Sequence, residues 1–286
     1  SISISRSVSH TDILYSLITW RMEYAWIYKM HKISNQYMSN MKPKISASSY
    51  IISHNLDDHD SVIDSEDVYF ALQIKNSVGN GTYNLFKKKL IIHIIEYFKD
   101  LGIKCVLVGR EQAPDYLLDL GVIKYANSSD ASVSNDFKII NKAEFVVCSS
   151  SGFNFIPCVL DKPTLVYGVP ALSWPSNCRF LILPQTVSNK ASGAKMNFHE
   201  QIFNILTHGK LVHDNAEKRD FIVNDTSPEE LVATLDELLA LNTDNVPEKS
   251  SLQKEFDDYM FSTGAYYSES RVSQNFLEHN KHLIQI

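Results

Sequence analysis

Glu144-Phe145-Val146-Val147-Cys148-Ser149-Ser150-Ser151-Gly152-Phe153-Asn154-Phe155-Ile156-Pro157 is the stretch whose reading decides the fold. Its β-branched and aromatic run breaks into three serines and a glycine, then resumes as apolar residues. That pattern predicts a strand, a tight turn and the start of a helix. Helix starts carry unpaired N–H groups and a partial positive charge, and small residues let a phosphate approach them closely. The hydroxyls of Ser149, Ser150 and Ser151 would add donors. A serine N-cap on an ordinary βα turn accounts for the same residues.

On the N-terminal side of the turn, Val68-Tyr69-Phe70-Ala71-Leu72-Gln73-Ile74 reads as a buried strand, and Asn76 to Gly81 as a loop. A helix over 83–101 ends at Gly102, and a strand over 103–108 is closed by Gly109-Arg110. A short helix over 114–120, a strand over 122–125 and a helix over 133–143 then lead back to the opening stretch. Beyond the turn come a helix over 153–160 and strands over 164–167 and 180–183. Helices are expected over 196–206, 227–241, 252–261 and 270–282. In Ser227-Pro228-Glu229-Glu230 the serine is followed three residues later by Glu230, a capping-box signature, and proline takes the first helical position. Strands alternating with helices imply an α/β fold: a doubly wound, mostly parallel Rossmann-like sheet over 68–241. A helical N-terminal segment and polar linker (1–67) would precede it, and a C-terminal helical extension (242–286) would follow.

The bulk composition narrows the function. Over 286 residues the chain is 44% hydrophobic and 21% charged, the balance of a globular protein with a real core. A net charge of −6 argues against broad nucleic-acid binding, which leaves a basic footprint. Cys105, Cys148, Cys158 and Cys178 sit in or beside apolar runs without metal-type spacing and read as buried reduced thiols. Neither a bilayer-length apolar run nor a signal-peptide pattern is found, so a cytoplasmic location is expected. The amphipathic helix expected over 11–41 carries Trp20, Trp26 and Tyr28 beside Arg21, Lys29 and Lys32. It offers a face to a membrane surface or a partner, including a second copy, although packing on its own chain explains the same pattern.

Ligands of open α/β sheets bind beyond the carboxyl ends of the strands, so the candidate site is a set of loops. Those loops carry Lys75 and Asn76, Arg110, Asn127, and Ser149 to Phe153 (Ser149, Ser150, Ser151, Gly152, Phe153). Lys75 and Arg110 are the cations placed to neutralise a phosphate, Arg110 with the better fork geometry. No Walker loop or G-x-G-x-x-G follows the first strand, which disfavours ATP hydrolysis and dinucleotide chemistry. Ser151-Gly152 lacks the preceding glycine of a hydrolase elbow. The run His54-Asn55-Leu56-Asp57-Asp58-His59-Asp60 contains candidate general bases in His54, Asp57 and His59, yet its spacing matches no metal-ligand motif. A solvated acidic loop explains it equally.

Three segments carry a resemblance: Val122-Ile123-Lys124-Tyr125-Ala126-Asn127, then Ala143 through Gly152, then Asp161-Lys162-Pro163-Thr164-Leu165. They resemble the nucleotide-sugar-binding half of GT-B glycosyltransferases, and most nearly a glycosyltransferase family of bacterial surface-polysaccharide gene clusters. The ending Ser270-Arg271-Val272-Ser273-Gln274-Asn275-Phe276-Leu277-Glu278-His279-Asn280 is similar to that family's tail. The resemblance implies transfer of a sugar from a nucleotide-diphosphate donor to a glycan acceptor, with neither an essential metal nor a separate cofactor. It also implies that Ser149 to Phe153 meet the donor phosphates, and that Arg110 and Asn127 line the nucleotide pocket. Where the family tends to have an Arg-Asp pair after the first strand, this chain has Lys75-Asn76.

A GT-B enzyme needs a second Rossmann-like domain for its acceptor, and residues 1–67 are too few for one. The chain is therefore expected to be a piece of a longer protein, or to replace that domain with its helical start. The competing expectation is a non-catalytic module that keeps the fold for binding or assembly. A sugar-nucleotide epimerase shares the fold but would need two full domains.

Overall fold

The computed structural model describes residues 63, 67–75, 87–111, 114–126, 128–149, 151–168, 178–201, 221–243, 245–262 and 270–284. The chain divides into two compact units, Ser1–Lys44 and Ile45–Ile286. The first lies outside the described residues, as do the helix expected over 11–41 and the run from His54 to Asp60.

Seven strands form one parallel sheet. They are β1 (Tyr69–Gln73), β2 (Lys104–Leu107), β3 (Ile123–Lys124), β4 (Phe145–Ser149), β5 (Thr164–Gly168), β6 (Phe180–Pro184) and, from the far C-terminus, a strand at Arg271–Val272. The order is β3-β2-β1-β4-β5-β6 followed by Arg271–Val272 at the edge. Both faces are covered, which is why the central strands read as continuous apolar runs. Alternate side chains of β1 and β4 serve the two sides. Phe70, Leu72 and Val147 share a core with Ile91, Ile94 and Phe98, while Ala71, Val146 and Cys148 share the other with Phe137 and Ile140.

The connecting helices are α1 (Lys88–Asp100), α2 (Tyr116–Asp119), α3 (Val133–Lys142) and α4 (Phe155–Val159). In α1, Leu90, Ile91, Ile94, Ile95 and Phe98 are buried at spacings of three and four, so one stripe faces the sheet. The helix starts later than the spacing predicts: Lys87 is extended at φ −67° and ψ 142° and acts as N-cap. At the other end Gly102 takes a φ of +76°, with its N–H on Lys99 O and the Ile103 N–H on Phe98 O at 2.9 Å each. This paired closure is a Schellman motif, and glycine supplies the left-handed residue it needs. After α4, Asp161 fills the same place at φ 51°, and its carboxylate meets Arg179 at 3.3 Å.

The C-terminal part contains β7 (Val187–Asn189) and β8 (Phe221–Val223), paired antiparallel, then α5 (Pro228–Ala240) and α6 (Ser251–Ser262). The expected capping box opens α5: the Glu230 N–H donates to Ser227 Oγ at 3.1 Å and the Ser227 N–H to Glu230 Oε2 at 3.3 Å. Where a single helix was expected over 270–282, Arg271–Val272 instead form β9 against Leu181 and Ile182 of β6, and α7 (Gln274–Asn280) follows. Buried polar bonds secure the edge. Gln253 Nε2 donates to Val272 O and to Glu237 Oε1 at 2.7 Å each, and Arg271 Nη2 donates to Pro247 O at 2.8 Å. Among the described residues no helix is long and apolar enough to cross a membrane.

Candidate functional site

The chain lays down β1, β2 and β3 in one direction and then returns to place β4 on the other side of β1. The reversal falls between β1 and β4, and a crevice at such a point is where doubly wound sheets take ligands. Gln73 ends β1 and Ser149 ends β4. The last register pair of the two strands is Gln73 with Cys148. One residue further on, the Ser149 N–H donates to the Gln73 side-chain Oε1 at 3.2 Å, while Gln73 Nε2 donates to Ile74 O at 3.0 Å. Gly109, at the exit of β2, has a φ of +94°, and a Cβ there would lie 3.3 Å from Gln73 Cγ. One buried carboxamide thus lies among the ends of three strands.

Beyond Ser149 the turn differs from the expected helix start. Gly152–Asn154 form a 3-10 turn and the α-helical part, α4, is only five residues long. So short a helix sums few peptide dipoles, and the charge contribution expected from a helix N-terminus is correspondingly small. Two N–H groups are used within the turn: Phe153 N–H donates to Ser151 Oγ at 3.3 Å and Asn154 N–H to Ser151 O at 3.2 Å. Ser151 therefore caps the turn, as the ordinary reading of the serines requires. The Ser151 N–H, by contrast, has no hydrogen-bond acceptor among the described residues. Ser149 Oγ is buried and also without a partner there. Strand alternation sets it on the face of Val147, registered beside Tyr167 of β5. Burial pushes the Tyr167 hydroxyl up to about 12, so it stays protonated at neutral pH.

The two cations divide. Lys75 is half-buried two residues past the end of β1 and has no hydrogen bond or ion pair with any described residue. Arg110 is exposed at the exit of β2, so β1 stands between it and the serine turn. Its charge acts on Asp136 in α3. Burial pushes that carboxyl up to about 6, and the Tyr125 hydroxyl and the Arg110 guanidinium pull it back. The Tyr125 hydroxyl also receives the Ser132 N–H at 3.0 Å, which joins the exit of β3 to the start of α3. Arg110 thus belongs to the β2–β3 end of the rim and Lys75 to the β1–β4 end.

Past β5 and β6 lies a second polar group. Asn224 Nδ2 donates to Thr186 Oγ1 and Ser188 Oγ at 2.9 Å each, and Gln185 Nε2 donates to Asn224 O at 3.5 Å. These bonds hold β7 and β8 to the rim.

Of the residues singled out from sequence, His54, Asp57, His59, Asn76, Asn127 and Ser150 lie outside the described residues. Lys75 follows the end of β1, and Ser149, Ser151, Gly152 and Phe153 end or follow the neighbouring strand β4. Sequence reasoning passed over Gln73, although the signal was present: it is the one polar residue within the otherwise apolar run from Val68 to Ile74. Among the described residues no cluster of three or more His, Cys, Asp or Glu side chains could hold a metal ion.

No family model matches the sequence, and no curated protein matches it. Twelve chains of solved structures match, three of them as follows. E. coli heptosyltransferase WaaC with ADP-2-deoxy-2-fluoro heptose is 15% identical with a TM-score of 0.33, over 42% of this chain and 38% of that one. E. coli ADP-heptose LPS heptosyltransferase II is 12% identical with a TM-score of 0.41, over 73% of this chain and 52% of that one. A glycosyl transferase family 9 protein from Veillonella parvula is 13% identical with a TM-score of 0.39, over 68% and 50%. The matched region thus spans between 38% and 52% of the length of these glycosyltransferases.

Proposed function

We propose that this chain is the donor-binding module of a GT-B-type glycosyltransferase, acting on a nucleotide-diphosphate sugar and a surface-polysaccharide or other glycan acceptor. The observation that carries the reading is the serine turn leaving β4 beside the point where the strand order reverses, with Ser149 Oγ buried and without a partner among the described residues and Lys75 two residues past the end of β1. Polar donors at such a turn, in place before the ligand arrives, suit a diphosphate.

In the transfer, the bond from the anomeric carbon to the diphosphate oxygen breaks and charge grows on the leaving group. The turn amides and the Lys75 ammonium would stabilise that charge without a metal ion, and donors already in place do so most effectively because they need not reorganise. The β2–β3 end of the rim, with Arg110, would take the nucleoside. A base for the acceptor hydroxyl is proposed among His54, Asp57 and His59. The amphipathic sequence over 11–41 is proposed to meet a membrane surface or partner on the cytoplasmic side.

Calorimetric titration with a panel of nucleoside diphosphates and nucleotide sugars tests this reading. Saturable binding of at least one nucleoside diphosphate is expected, with the cognate nucleotide sugar competing for the same site. Absence of binding across the panel would overturn it.

A further inference from the structure

We draw no further inference here: the strongest candidate, the polar side-chain cluster of Gln185, Thr186, Ser188 and Asn224 beyond β6, already serves to hold β7 and β8 to the rim, and nothing in the structure shows what would reach its buried atom without a partner, Gln185 Oε1.

Discussion

The Cys148 thiol donates to Asn154 Oδ1 at 3.3 Å, tying the penultimate residue of β4 to the far end of the serine turn. With the Gln73 carboxamide holding Ser149 at the near end, the turn is bracketed by two side-chain contacts. Asn154 is 1% exposed, so truncating it leaves a cavity and restricts the thiol to its longer contact with Leu165 O at 3.7 Å. Asn154→Ala should lower stability by about 1–3 kcal/mol, read as a shift in the denaturant midpoint. An unshifted midpoint would mean that the contact contributes nothing.

Burial pushes the Cys105 and Cys148 thiols up, whereas Cys178 is exposed. Only the thiolate is nucleophilic, so alkylation of the native protein at pH 8 should label Cys178 well before either buried thiol. Peptide mass spectrometry after timed labelling checks the order. Early loss of the Cys148 thiol would contradict its burial at the root of the turn.

Asp136 gives a pH dependence whose sign can be worked out. Burial, opposed by the Tyr125 hydroxyl and the Arg110 charge, moves its carboxyl from the ordinary 3.8 up to about 6. Between those values the folded protein holds a proton that the unfolded chain has released. The contribution to stability is therefore full below the unfolded value and is lost as pH rises through the folded one. Replacing the group by Asp136→Asn should flatten the fall in melting temperature across that interval. A variant whose melting curve keeps the wild-type slope would place the titration elsewhere.

The division of the two cations predicts different signatures. Lys75→Gln should weaken a nucleoside diphosphate by about tenfold at low salt, with the loss shrinking as ionic strength rises and little effect on the free nucleoside. Arg110→Gln, on the far side of β1, should weaken nucleoside and diphosphate alike. Titrations at two salt concentrations separate the cases, and an exchange of the two patterns would reverse the proposed orientation of the nucleotide.

Much of the sheet was legible because β1, β2, β4, β5 and β6 are apolar runs, the last four closed by glycine, proline or serine, and burial on both faces demands that pattern. The glycine stop at Gly102 and the capping box at Ser227 were equally plain, being local chemistry. What escaped was set by distant partners. Arg271–Val272 lie in a helix-like pattern and become a strand only because Leu181 and Ile182 offer an open edge. The three residues of β7 depend on Phe221 to Val223 in the same way. At the site, the serine turn could be located, but the helix behind it was expected to be longer than it is. Gln73 could not be paired with Ser149 from sequence, since 76 positions separate them and no local rule connects them.

The most direct measurement is the position of the β-phosphate in a crystal of this chain soaked with a nucleoside diphosphate. The account predicts phosphate oxygens within hydrogen-bond distance of the Ser151 and Gly152 N–H groups, with the Lys75 ammonium alongside and the nucleoside toward Arg110. A diphosphate bound elsewhere, out of reach of those two amides, would contradict it.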